Sequence, residues 1–365
     1  MNLSVGIVGL PNSGKSTLFN VLRSAQGKLS GLAAVANYPF TTIEPNIGVV
    51  EVPDGRLLPL KETIEKSEGL SPSFKIIPAA VKFVDIAGLV KGAHKGEGLG
   101  NQFLAHIREV DAIVFLLRDF ENPDVIRTGE NPDSDLAVLK SELLLKDLDT
   151  IDRRLETFAK ELKTVPTNDP RHLAFKTLEK SKSLVEKSLW LEENLSPQEL
   201  EKISDLQLLS AKKTIYVLNS DERDLGKKTE NLDGAIRISA KLESELTDLS
   251  EGEQKEYLKE LGVLEPGLDR LIKIAYTTLG LCTFFTAGPK EVHAWTVRCN
   301  SLAPEAAGKV HSDFEKGFIA ADVVDWKELV RIGSWQKAKS AGLVKTIGKS
   351  EEIKDGMVVE FKFNV

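Results

Sequence analysis

The sequence predicts an α/β protein in three parts: a parallel-sheet domain built around a phosphate-binding loop, a long antiparallel helical hairpin inserted into it, and a small C-terminal module of strands and a helix. Three observations carry this. The stretch GLPNSGKST (9–17) follows an apolar run and precedes a helical pattern. Leucines at three- and four-residue steps fill the interval between two later apolar runs. The C-terminal residues change to short β-type segments that start near residue 283.

The chain has 365 residues, enough for two or three domains. Its 41% apolar and 28% charged content describes an ordinary globular protein. Apolar runs such as AIVFLL (112–117) are too short to cross a bilayer, so no membrane partner is expected. The N-terminal MNLSVGIVGL has no basic leader and reads as a strand, not a signal peptide. Cys282 and Cys299 form neither a disulfide framework nor a metal-site spacing, and are expected to be two separate thiols in a reducing cytoplasm. A net charge of −7 opposes non-specific coating of nucleic acid. The charge is uneven, however: residues 279–365 carry 12 basic against 11 acidic side chains, which leaves room for a local basic face.

The elements follow in order. LSVGIV (3–8) is a strand, and the loop after it matches G-x-x-x-x-G-K-[ST] at Gly9, Gly14, Lys15 and Ser16. Glycines let the backbone curl so that several N–H groups face a β-phosphate, and the following helix N-terminus adds favourable partial charge. Asn12, Ser13, Gly14, Lys15, Ser16 and Thr17 are the expected phosphate-side residues, with Lys15 on the β- and γ-phosphates and the Ser16 hydroxyl on Mg2+. YPFTTIEPN (38–46) offers Thr42 as a second hydroxyl for Mg2+. AVKFVDIAGLVKG (80–92) reads as a buried strand ending in Asp85, placed to hold Mg2+ through water, with the Gly88 N–H on the γ-phosphate. Lys15 and Gly88 are the expected catalytic groups. Where Ras-like enzymes place a water-orienting Gln stands Leu89, which cannot orient water, so unaided turnover is expected to be slow. His94 is a substitute to weigh, and Asn12 a candidate holder of K+.

GLPNSGKST, NYPFTTIEPN and above all DIAGLVKGAHKGEGLGNQFLAHIREVDAI resemble the YchF/Obg-like ATPase group of P-loop NTPases. FFTAGPKEVHAWTV and APEAAGKVHSDFEKGFIAADVV resemble the TGS module that closes members of that group. The resemblance spans nearly the whole chain. It implies an Obg-type G domain at 1–128 and 208–278, an inserted hairpin at 129–207 and a ubiquitin-like β-grasp (TGS) domain at 279–365. It further implies ATP hydrolysis, ribosome binding and a cytoplasmic location. One departure matters: Arg127 stands where the group often carries a His suspected in catalysis, and that role does not carry over.

The base-reading end is spelled YVLNSDERD (216–224). Guanine-reading sites use Asn-Lys-x-Asp, whose Asp grips two adjacent donors on the base and whose Lys stem packs over it. Here Ser220 replaces the Lys and Glu222 the Asp, which predicts a weakened guanine grip, while Asn219 is the expected contact to adenine. ISAKLESEL (238–246) places Ser239 and Ala240 at the last base-side loop. ATP/ADP are then the expected nucleotides, with GTP/GDP weaker.

Leu136, Leu139, Leu143, Leu148, Ile151, Leu155, Phe158 and Leu162 make one amphipathic stripe, and TVPTNDP (164–170) breaks it. Leu173, Leu178, Val185 and Leu189 make a second, so the pair reads as a hairpin. Downstream, EPGLDRLIKIAYTTLG (265–280) is a connecting helix; TFFTA, EVHAWTV and MVVEFKFNV are strands, with a helix at 304–317, which fits a β-grasp. Trp295, Trp326 and Trp335 are either stacking platforms for rRNA or core aromatics, and Lys290, Lys309 and Lys316 either phosphate contacts or a solvated surface. The leading expectation is an Mg2+-dependent ATPase that works as a slow switch on the ribosome or its large subunit. The alternatives are an Obg-class GTPase, and a nucleotide-sensing ribosome-binding module whose hydrolysis is incidental.

Overall fold

In the computed structural model the described residues are 3–24, 46–86, 99–123, 126–127, 129–163, 166, 168–227, 232 and 234–364. They form two compact units, one from 3–22, 46–48 and the described part of 82–271, the other from 23–24, 49–81 and 272–364. The strands of the N-terminal half are β1 (Ser4–Val8), β2 (Ile47–Glu51), β3 (Lys75–Ile77), β4 (Ala80–Asp85), β5 (Ala112–Asp119), β6 (Lys213–Ser220) and β7 (Ile236–Ile238). Those of the C-terminal half are β8 (Leu281–Ala287), β9 (Glu291–Arg298), β10 (Phe318–Asp325), β11 (Lys345–Ile347) and β12 (Met357–Phe363).

The first sheet runs β2-β4-β1-β5-β6-β7. Strands β4, β1, β5, β6 and β7 are parallel, with Ile7 opposite Asp85, Val5 opposite Ala112, Asp119 opposite Ser220 and Leu218 opposite Arg237. All five residues of β1 and the first seven of β5 are buried, as befits parallel strands covered on both faces. Parallel strands end at one edge, so the C-terminal ends of β1, β4, β5, β6 and β7 lie there, where ligands of open α/β sheets bind.

The hairpin is as expected. Helix Pro132–Leu162 starts at a capping box between Asn131 and Ser134, with Pro132 in the first turn, where a missing N–H costs nothing. It pairs with helix Arg171–Glu186 through Ile151, Phe158, Leu178 and Val185, and Phe158 meets Phe175 edge-on at 5.8 Å. Leu173 and Leu189, expected on the seam, are instead exposed. The seam does more than bury itself: its apolar cluster continues through Leu139, Leu143 and Trp190 to Phe115 and Val8 of the sheet. Asp147, fully buried in the long helix, accepts from the Leu209 and Ser210 N–H groups and the Ser210 hydroxyl at 2.8, 2.7 and 2.6 Å. Those bonds pin the returning chain just before β6.

The second sheet runs β11-β10-β12-β8-β9-β3. Hairpin β8–β9 is antiparallel, β12 lies parallel beside β8, and β10 is antiparallel to both β12 and β11. First and last strands of the module thus lie side by side, a β-grasp order. Helix Ala303–Val310 packs Ala303, Ala306 and Ala307 against Phe284 and Val297. Strand β10, FIAADVVD, is an addition to the expected elements.

Two expectations change here. Residues 49–81, placed by the sequence with the first domain, assemble with the C-terminal module. Lys75–Ile77 pair in parallel with Glu291–His293, helix Leu57–Glu68 packs on β8, β9 and helix Trp326–Ile332, and Arg56 bridges to Asp355 at 2.6 Å. A three-residue strand has no periodicity to read, and its partner lies more than two hundred residues away. The thiols are not separate either: Cys282 and Cys299 are disulfide-bonded, with Cα atoms 5.0 Å apart. Hairpin pairing sets Cys282 opposite Val297, which brings Cys299 within reach.

Candidate functional site

The first unit carries a cleft of about 980 Å3 at the C-terminal edge of its sheet. One end is the loop after β1. Asn12 (φ 64°) and Gly14 (φ 88°) are both left-handed, which turns successive N–H groups toward a common concavity. Gly9 and Gly14 are required by contact: a Cβ on Gly9 would lie 2.7 Å from the Leu116 carbonyl oxygen, and one on Gly14 would lie 2.1 Å from Asn219 Nδ2. The Ser13 N–H closes a turn on the Leu10 carbonyl at 3.2 Å, and its hydroxyl is buried, so Ser13 shapes the loop from inside. Lys15, Ser16 and Thr17 open helix Lys15–Ser24 and line the cleft. Lys15 Nζ meets Asp85 Oδ1 at 2.5 Å, which brings the end of β4 onto the phosphate loop. Ser16 and Asp85 supply hydroxyl and carboxylate oxygens, a donor set that suits Mg2+. Thr42, Gly88, Leu89 and His94 lie outside the described residues.

The other end gathers the expected base-side residues Asn219, Glu222, Ser239 and Ala240 and adds a second role to Asn219. Asn219 is 5% exposed and both ends of its amide are engaged: Nδ2 donates to the Ser13 carbonyl at 2.9 Å, and Oδ1 accepts from the Ala240 N–H at 3.0 Å. Asn219 therefore laces the phosphate loop to the last base-side loop while still lining the cleft, and its Nδ2 keeps a second N–H beyond the one given to Ser13. Ala240 spends its N–H on that bond, and the Ser239 hydroxyl caps its own helix by accepting from the Leu242 N–H at 3.3 Å. Sequence alone did not show the lacing, because an Asn at a strand end is spelled the same whether or not its amide also ties two loops together. Glu222 does line the cleft, in a helical turn after β6, with Lys241 Nζ 4.0 Å from its carboxylate. The Glu222 charge also pushes the neighbouring Tyr257 phenol above its usual range.

Three features were missed. Phe120, Glu121 and Asn122 form a wall of the cleft, and nothing in their spelling sets them apart from an ordinary strand-end loop. Arg118, 4% exposed, shapes that wall from behind by donating to the carbonyls of Phe120, Asn122 and Ile126 at 3.4, 3.3 and 3.2 Å. Asn12 Nδ2 donates to the same Ile126 carbonyl at 3.1 Å, which couples the wall to the phosphate loop. Arg127 is exposed and donates to the Arg118 carbonyl at 3.4 Å.

Residues 4–167 match the family described as 50S ribosome-binding GTPase, and residues 281–364 match the YchF-GTPase_C family, described as a protein of unknown function. The chain is 42% identical over 382 residues to the ribosome-binding ATPase YchF of Bacillus subtilis, with both chains covered in full. The chain belongs to the YchF family. YchF of Escherichia coli O157:H7, also named a ribosome-binding ATPase, is 43% identical over 380 residues and again fully covered. The solved YchF GTPase of Schizosaccharomyces pombe superposes with a TM-score of 0.84 at 34% identity, over 99% of this chain and 98% of that one. The names differ on the nucleotide, ATP in the bacterial proteins and GTP in the yeast one. The base end of the cleft is thus where this YchF chain's own residues must be read.

Proposed function

We propose that this chain is an Mg2+-dependent P-loop nucleoside triphosphatase that prefers ATP over GTP and works as a slow switch on the ribosome in the cytoplasm. The observation that carries the nucleotide reading is the continuous lacing from Lys15 and Asp85 through Ser13 and Asn219 to Ala240, which supports a phosphate site and a base site in one cleft. Lys15 binds the β- and γ-phosphates, and Ser16, Asp85 and Thr42 hold Mg2+, which neutralises charge developing on the phosphates. Gly88 meets the γ-phosphate through its N–H. Asn12, whose side-chain nitrogen is taken by Ile126, has an amide oxygen suited to K+. For base choice, Ser220 and not a lysine follows Asn219, and Glu222 has Lys241 and Tyr257 as neighbours, which supports a lost guanine grip.

The C-terminal unit, TGS-like in strand order, and the hairpin are proposed as the ribosomal contacts, on large-subunit rRNA or protein, in line with the names of the bacterial relatives. A competition titration of ATP, ADP, GTP and GDP tests the nucleotide reading, since tenfold discrimination amounts to about 1.4 kcal/mol. ATP should displace GTP at lower concentration; tighter GTP binding overturns the preference. Turnover equal in K+ and Na+ removes the cation from Asn12, and absence of co-sedimentation with ribosomes in every nucleotide state removes that partner.

A further inference from the structure

Ser220, at the lysine position of the base-reading loop, does have a cation beside it, and it arrives from the next strand. Arg237 lies on β7, where it is the register partner of Leu218 on β6. Its guanidinium donates to Asp119 Oδ2 and, at 3.0 Å, to the Ser220 hydroxyl. That hydroxyl donates to the same Asp119 oxygen at 3.0 Å, which closes a triangle. Asp119 and Ser220 are themselves partners at the ends of β5 and β6. The triangle thus joins three strands just before Phe120–Asn122 and Asp221–Glu222, the two segments that face each other across the base end of the cleft. A second tie, from the Glu121 N–H to Asp221 Oδ2 at 3.2 Å, runs between those segments. Water has little access: Ser220 is 2% exposed, and the Arg237 and Asp119 side chains are 16% and 28% exposed. Arg270 donates to the Arg237 carbonyl at 2.6 Å and steadies the strand that delivers it.

We propose that Arg237 is the positioning residue of the base end and a determinant of base specificity. It supplies from β7 the cation that guanine-reading sites supply from the lysine after Asn. The strand ends are tied from below, and position 220 sends no stem of its own over the base. Ser220 and Arg237 then form a linked pair: a short side chain at 220 leaves room for the guanidinium, and one carboxylate, Asp119, serves one cation. This rests on the nucleotide reading above.

A cation relocation in the full-length chain tests it, with Mg·ATP and Mg·tripolyphosphate titrated by calorimetry. Arg237→Ala should weaken ATP by about tenfold or more, because Asp119 loses its partner, and leave tripolyphosphate, which needs only the phosphate loop, within about twofold. Ser220→Lys alone should also weaken ATP, because two cations then face one carboxylate. The double variant should recover ATP affinity to within about threefold of the unsubstituted chain, a coupling that independent sites do not show. Unchanged ATP affinity in Arg237→Ala overturns the proposal, as does equal loss of tripolyphosphate. So does a double variant with native circular dichroism that binds no better than the weaker single. Should Arg237→Ala not fold, Ser220→Lys and the double decide alone: wild-type affinity in the first, or no recovery in a folded second, sinks the idea. Failure of the unsubstituted chain to bind ATP or GTP would instead remove the nucleotide reading, a distinguishable result.

Discussion

At Asn219 one amide meets two demands: its nitrogen holds the Ser13 carbonyl and its oxygen the Ala240 N–H, so a single side chain fixes both ends of the cleft. Asn219→Ala leaves two buried backbone groups unpaired and should weaken Mg·ATP by about tenfold or more, read by calorimetry. Gly14→Ala should be at least as damaging, because φ is 88° and the added carbon would meet that same amide. Glu243 makes a different prediction. It accepts from the Gly267 N–H at 2.7 Å, and burial raises its pKa from 4.5 to about 7. The folded chain therefore holds this proton more tightly than the unfolded chain. The cost of ionising Glu243 is absent below pH 4.5, grows through the window up to about 7, and is complete above it, so this group lowers stability as pH rises. Glu243→Gln cannot ionise, so its stability relative to the unsubstituted chain should improve by about 1–3 kcal/mol between the acid and alkaline ends of that window. Urea midpoints at several pH values measure this, and a pH-independent difference refutes it.

At the scale of elements, the β8–β9 hairpin carries the disulfide between Cys282 and Cys299, which are 17 positions apart. A loop of that length is worth about 3 kcal/mol at most in a disordered chain, less where the hairpin is already paired. Cys282→Ser should therefore lower stability by about 1–3 kcal/mol under oxidising conditions and change nothing under reducing ones. Two reactive thiols in the unreduced native chain would show that the bridge does not form. The same hairpin bears on the aromatic question. Trp295 stacks on His293 at 3.6 Å and donates to Thr286 at 2.9 Å, so its ring already has partners within the protein. Burial holds His293 neutral, with a pKa near 4. The hairpin helices and the strands β1, β4, β5 and β6 were legible because their periods repeat over many residues and agree with their caps. Strands β3 and β11, three residues each, were not, because pairing with distant partners and not local pattern makes them strands.

For the whole molecule, nucleotide should act as a stabiliser of the first unit, since its cleft is laced from four separate stretches of chain. At a hundredfold excess over its dissociation constant, Mg·ATP adds about 2.7 kcal/mol, visible as a higher unfolding temperature. Lys15→Ala should abolish that ligand-induced shift whatever it does to the unliganded chain; an undiminished shift would take Lys15 out of the phosphate site. By itself the sequence determined the phosphate loop, the acid at the end of β4, the hairpin, and the departure from guanine-reading spelling, because each is a local pattern whose chemistry is fixed by residue type and spacing. Only the tertiary structure decided that Asn219 ties two loops together, that Arg237 meets Ser220 from another strand, and that Lys75–Ile77 joins the C-terminal sheet. Those outcomes depend on which strands lie side by side, and neighbours in a sheet are chosen by packing across long stretches of chain.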